Sequence, residues 1–336
     1  MRRLDMSTYH PTHLGVLDLV PRLGGVSAER ALQQAVTLAQ HAEEWGYLRY
    51  WTSEHHDMEE LASASPEVLL AHIGARTSSI RLGSGAVLLP HYSALKVAES
   101  FRLLASLYPG RIELGLGRAP GGGPHATMAL SGNYLQHVSQ LPDKLEALTA
   151  LLENRYTYEE HEVQARPIPE HPLSVWMLGT NVKSAEFAAR FGMGYVFGQF
   201  MSEADGTEAV RRYREGFVPS AHRTEPEVMV ALSVLCAEDE EQARSWSRQM
   251  EERRRASTTG DSSQSNGDES ASNADEEPSD RHIAGTPEQV WKQMHQVSAR
   301  LRTNQLLIVT AGPDYERRLE SYKLLAEYPK KVQSLK

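Results

Sequence analysis

The chain has 336 residues, a single cysteine and a formal net charge of −9. That acidic balance argues against a nucleic-acid surface, which needs a basic face, but leaves room for an anionic ligand held at one local positive spot. Lone Cys236 excludes an intramolecular disulfide, and neither a signal-peptide core at Met1–Asp5 nor a bilayer-length apolar run is present, so a cytoplasmic protein without a membrane partner is expected.

In chain order, Leu14–Val20 reads as a first strand interrupted by Asp18. Ser27–Trp45 follows with helical spacing of Ala31, Ala35, Leu38, Ala39 and Ala42; Ser27 is the N-cap and Gly46 the stop. Tyr50–Ser53 is a second strand and Pro66–Arg76 a second helix. Ile80–Leu89 is a third strand stopped by Pro90, and Ala94–Leu107 a third helix. Arg111–Gly117 is the fourth strand, and Leu141–Glu153 a helix after a long connection. Leu173–Leu178, Tyr195–Phe197, Val228–Ala237 and Gln305–Thr310 complete eight strands. Between and after them run helices at Ser184–Phe191, Ala204–Glu215, Glu238–Arg254, Pro287–Arg300 and Tyr315–Tyr328.

Strands five, seven and eight are nearly continuous apolar runs, as in a sheet buried on both faces. A doubly wound open sheet is the alternative, but its Gly-x-Gly-x-x-Gly phosphate loop after strand one is absent. The expected fold is an α/β (β/α)8 TIM-type barrel forming a single domain over residues 1–336. One tract departs from the pattern. Ser257–Asp280 is built of Ser, Thr, Gly, Asn, Asp and Glu, and is expected to be a disordered acidic insert between strands seven and eight.

Three strands end in residues that suggest chemistry. Glu54-His55-His56 closes strand two, and a histidine there can bond a ligand or move a proton near neutral pH. Strand alternation lets only one of the pair face the barrel axis; a helix-facing histidine with a satisfied partner is the alternative. No further ligands surround this triplet, so no metal centre is expected. Arg118 after strand four suits a phosphate, although an arginine more often makes a surface ion pair. Gly179-Thr180-Asn181 leads into a helix whose N-terminus, with Ser184, favours an anion; an N-cap role for Thr180 or Asn181 is compatible with that. Gly85 and Ala86 are small enough to admit a flat ring, or serve as packing residues in a narrow barrel layer. Asp18 is either a ligand contact or a strand-end residue bonded to backbone.

Taken together, Tyr50–His56, Ile80–Pro90 and Gly115-Leu116-Gly117-Arg118-Ala119-Pro120-Gly121 resemble the bacterial luciferase-like flavin-dependent monooxygenases, and within them the MsnO8-type subgroup. The resemblance runs over roughly Leu14–Tyr328. It implies reduced flavin mononucleotide (FMN) from a separate flavin reductase, O2, a small organic substrate and a homodimer paired through helices two and three, with Val68, Leu69, Leu70 and Ile73 at the contact. It makes His55 the catalytic residue and His56 a flavin contact. It makes Arg118, Thr180, Asn181 and Ser184 the phosphate grip, with Thr180 in place of an acidic residue. It makes Gly85-Ala86 a cis peptide beside the ring. A deazaflavin-dependent hydride-transfer enzyme of the same superfamily, or a flavin-binding protein without turnover, are the alternatives.

Overall fold

The computed structural model describes residues 13–260 and 282–334. Strand β1 (His13–Asp18) is followed by α1 (Ala28–Trp45), β2 (Arg49–Thr52), α2 (Pro66–Gly74), β3 (Arg81–Ser84), β4 (Val87–Leu88), α3 (Ala94–Leu107) and β5 (Ile112–Gly117). The long connection then holds α4 (Pro124–Ser131) and α5 (Tyr134–Ser139) before α6 (Leu141–Leu152) and a small hairpin, β6 (Thr157–Tyr158) with β7 (His161–Glu162). Next come β8 (Ser174–Gly179), α7 (Val182–Arg190), β9 (Gly194–Gly198), α8 (Thr207–Glu215), β10 (Val228–Cys236) and α9 (Glu240–Gly260). The described chain resumes with β11 (His282–Gly285), α10 (Pro287–Leu301), β12 (Gln305–Val309) and α11 (Tyr315–Ser334).

The sheet is parallel and closed. Its order runs β1, β2, β3 with β4, β5, β8, β9, β10 and β12, and β12 pairs back to β1 with Leu14 opposite Leu306. This is the expected eight-stranded barrel with helices outside, and every βα connection leaves at the same end. Two shells of apolar residues hold it. Leu17, Trp51, Trp176, Val196, Met229, Ala231, Leu307 and Val309 fill the interior. Their neighbours in sequence, such as Val16, Tyr50, Val230 and Ile308, face the helices, as period-two alternation requires.

The two indoles inside the barrel fit because glycines face them. A Cβ on Gly83 would lie 2.3 Å from Trp51 Nε1, and one on Gly194 2.2 Å from Trp176 Cε3. Gly115 is tighter still, with its Cβ position 2.0 Å from the Ser84 carbonyl oxygen, a backbone atom that no rotamer can move. Gly115→Ala is therefore expected to force β5 and β3 apart at a cost of about 1–3 kcal/mol. Thermal unfolding checks this; an unchanged Tm would mean that the strand pair yields freely. At the N-terminal end of the interior, Arg49 and Glu113 form a buried pair at 3.1 Å, and Trp51 Nε1 donates to Glu113 at 2.7 Å.

Several expectations need correction. Strand one stops at Asp18, because Val20 takes a left-handed φ of 53° that an extended strand excludes. Strand three does not run unbroken over Ile80–Leu89. Gly85 and Ala86, joined by a cis peptide bond, separate β3 from β4, and Leu89–His91 forms a short 3-10 turn. Strand β11 was not expected; its four residues pair parallel with the end of β10, Ser233 opposite His282. Helix α9 runs on through residues 257–260 of the acidic insert, and residues 261–280 lie outside the described residues. Of the four residues expected to leave apolar surface on helix two, Leu69, Leu70 and Ile73 are buried toward the barrel and only Val68 is exposed, at 67%. Leu103 and Leu107 of α3 are the other large apolar residues exposed on these two helices.

Candidate active site at the barrel mouth

The end of β2 carries its alternation past the last paired residue. Trp51 points into the barrel and Tyr50 outward. Ser53 Oγ then bonds His55 Nδ1 at 3.0 Å, while Glu54 Oε1 bonds His56 Nε2 at 2.9 Å. Each partner lies two residues away, so Ser53 and His55 continue the face of Trp51, and Glu54 and His56 the face of Tyr50. The backbone is fixed as well. His55 N–H donates to Ser63 O at 2.9 Å, His56 N–H to Gly121 O at 2.8 Å, and Ser63 Oγ–H to Ser53 O at 2.6 Å.

His55 spends Nδ1 on Ser53, and among the described residues its Nε2 has no hydrogen-bond partner. Burial lowers its pKa below the usual imidazole value, and the repulsion that two charged rings side by side at His55 and His56 would feel acts in the same direction. At neutral pH His55 is therefore a neutral ring, able to accept or relay a proton at one nitrogen. His56 is directed instead to a buried carboxylate, away from the face of His55.

Across the mouth, β5 ends at Gly117 and Arg118 follows. Its guanidinium donates to Asn181 Oδ1 at 3.2 Å, and among the described residues no carboxylate pairs with it. Tyr134 of α5 donates its hydroxyl to the Arg118 carbonyl oxygen, so the second helix after the glycine-rich turn steadies the arginine from behind. Asn181 is also the N-cap of α7, accepting from Ser184 N–H at 3.2 Å. The first-turn amides of Val182 and Lys183 have no acceptor within the helix, and their partial positive charge lies beside Arg118.

Thr180 is half-buried beside this helix start. Ser184 is 1% exposed, and its hydroxyl donates to Asn181 O at 2.7 Å. It packs over Gly179, where a Cβ would lie 1.9 Å from the Ser184 oxygen. Ser184 thus shapes the turn rather than presenting its hydroxyl. Tyr195, whose pKa burial pushes up to about 12, reaches the Gly179 and Asn181 carbonyls at 3.4 and 3.3 Å and supports the turn from below.

The structure brings Gly85-Ala86, His55 and the Arg118–Asn181 pair to one end of the barrel. Gly85 N–H donates to Thr52 O at 2.8 Å, which ties the cis peptide to the strand that carries His55. Asp18 belongs to a different arrangement. Its carboxylate is fully buried, pairs with Arg318 of α11 at 2.6 Å, and accepts from Tyr50 OH at 2.6 Å and Val20 N–H at 2.7 Å. With these donors it needs no ligand. Sequence reasoning missed Ser53, Tyr134 and Tyr195. Alternation from His55 points to Ser53, whereas the tyrosines act across loops that no local pattern signals.

Among the described residues there is no cluster of metal-binding side chains, and no helix is long and apolar enough to cross a membrane.

Comparison with known proteins agrees with this architecture. A family model described as luciferase-like monooxygenase matches residues 12–304. The Bacillus subtilis (strain 168) protein YwcH is 41% identical over 327 residues, covering 94% of this chain and 98% of that protein. The N-acetyl-S-alkylcysteine monooxygenase of the same organism is 35% identical over 326 residues, covering 94% and 97%. The crystal structure of apo-MsnO8 superposes with a TM-score of 0.85 at 33% identity, covering 95% of this chain and 97% of that one.

Proposed function

The chain belongs to the luciferase-like monooxygenase family, and from that premise we propose that it uses reduced FMN and O2 to oxidise a small organic substrate at the barrel mouth. The observation that carries the reading is Arg118. Among the described residues it is a guanidinium without a carboxylate partner, set beside the open N-terminus of α7 in a chain of net charge −9. That is a local anion site, and it lies at the same end of the barrel as the small residues Gly85 and Ala86. These residues fit FMN, with a phosphate at one end and a flat ring at the other.

Arg118, Asn181 and Thr180 would hold the phosphate, with Ser184 keeping the turn in shape. Gly85 and Ala86 would floor the ring. Bound reduced flavin supplies the electrons for O2 chemistry. His55 accepts or returns a proton at Nε2, and Ser53 orients its ring through Nδ1. The apolar interior below, Leu17, Trp51 and Val309, keeps water from reaching the site through the barrel. No nicotinamide fingerprint is evident in the sequence, so a separate flavin reductase supplies the reduced cofactor. We place a homodimer contact on the outer face of α2 and α3, at Val68, Leu103 and Leu107.

Arg118→Ala is expected to weaken FMN binding by about 10- to 100-fold, the loss of one charge-assisted contact of about 1.5–3 kcal/mol. Riboflavin, which lacks the phosphate, should lose little. Fluorescence quenching measures both, and equal losses would remove the phosphate role. Oxygen uptake with reduced FMN, followed by a screen for oxygenated products, tests the activity itself. A deazaflavin in the mass spectrum of the extracted cofactor would overturn the FMN assignment.

A further inference from the structure

Glu54 is one residue from His55, yet its own side chain is 1% exposed and turned to the other face. Its carboxylate gathers three elements. Oε1 takes the Tyr92 hydroxyl at 2.7 Å and His56 Nε2 at 2.9 Å; Oε2 takes the Leu88 N–H at 3.1 Å. No lysine or arginine pairs with it among the described residues. Leu88 is two residues past Ala86, and Tyr92 leads into α3. A second layer closes on the same point. The His56 carbonyl oxygen would lie 2.5 Å from a Cβ on Gly122, so the turn after Arg118 is packed directly against His56.

A buried carboxylate without a cationic side chain is costly unless donors satisfy it. A carboxylate only accepts, so each partner must donate. Leu88 has its amide and Tyr92 its phenol, which burial and then the bond to Glu54 hold protonated, with its pKa raised. His56 must therefore carry its proton on Nε2. We propose that Glu54 is a positioning residue. It fixes the tautomer of His56, and through it the seat of His55 relative to Gly85-Ala86 and to the Arg118 turn. The sequence separates these parts by about thirty residues each, and one carboxylate ties them together. Its bearing on turnover rests on the flavin reading above; the tie itself does not.

The apo chain tests the tie without flavin. Long-range ¹H–¹⁵N spectra of histidine-labelled protein report ring tautomers, with His56 assigned by its loss in His56→Asn. Wild type is expected to show His56 as the Nε2–H form; the Nδ1–H form would overturn the proposal whatever any variant does. In Glu54→Gln the amide keeps the Leu88 bond only by turning its NH2 toward His56. The ring is then expected to switch to Nδ1–H, and the His55 signals to move with it.

Reduced FMN and O2 alone supply the second readout. Hydrogen peroxide should appear about tenfold faster with Glu54→Gln, at an FMN affinity within threefold of wild type. Tyr92→Phe removes one donor, leaves the His56 and Leu88 ties, and should stay within twofold in peroxide rate. If Glu54→Gln keeps the His56 tautomer, and its peroxide rate changes no more than that of Tyr92→Phe, Glu54 is a structural residue only. If wild type binds no FMN, the flavin reading fails while the tautomer result still stands.

Discussion

His55→Ala is expected to cut product formation by about 100-fold or more, the usual scale for losing a positioned acid–base group. FMN affinity should stay within a few-fold, because the anion site is built on the ends of β5 and β8 and not on β2. Hydrogen peroxide released per O2 consumed should rise as product falls. The argument rests on position: His55 shares the face of Trp51, keeps Nε2 unengaged among the described residues, and is steadied by Ser53. Its pH profile follows from its lowered pKa. The ring charges only at a pH below that of an ordinary imidazole, so product yield should fall on acidification at a lower pH than a free histidine would give. Oxygen and peroxide electrodes with product analysis measure all of this. Equal product yields in wild type and His55→Ala would leave His55 a structural residue.

The second large effect is expected far from the anion site. Arg318→Met should lower stability by about 3–5 kcal/mol, since it leaves the Asp18 carboxylate buried and without its cation. In a chain of this size that is a fall in Tm on the order of 10 °C. Asp18 and Arg318 are 0% and 3% exposed as side chains, so water cannot replace the missing partner. The double variant Asp18→Asn with Arg318→Met should recover much of the loss, because the uncompensated charge is gone. Differential scanning calorimetry of the three proteins decides it; a single variant no less stable than the double would mean that the pair is not what matters.

Much of the barrel was legible because its signals are local. Helix α3 has the expected bounds, Ala94–Leu107, and Ser27 and Gly46 cap α1 as their types require. The alternation that separates His55 from His56 follows from strand geometry alone. What stayed hidden depends on distant partners or on weak local patterns. Asp18 looked open to a ligand because Arg318 lies 300 residues further on. Glu54 looked ambiguous because Leu88 reaches it from β4 and Tyr92 from the turn before α3. Helices α4 and α5 are only eight and six residues long, and follow Gly121-Gly122-Gly123, which reads as a loop. Strand β11 is four residues, too short to show a period.

The seam between β1 and β12 has a consequence for how the chain is made. The first barrel strand leaves the ribosome long before its neighbour on one side, Gln305–Val309. Until then His13–Asp18 can pair only with β2, and the Asp18 carboxylate has no Arg318. The nascent chain must therefore carry an open sheet edge and an unmatched acidic group until β12 and α11 have been made. Contacts of such sequence separation are slow to form, and an exposed edge invites pairing with another chain. Synthesis halted before residue 305 should leave a product that aggregates, and emergence of β12 and α11 should be the step that closes the ring.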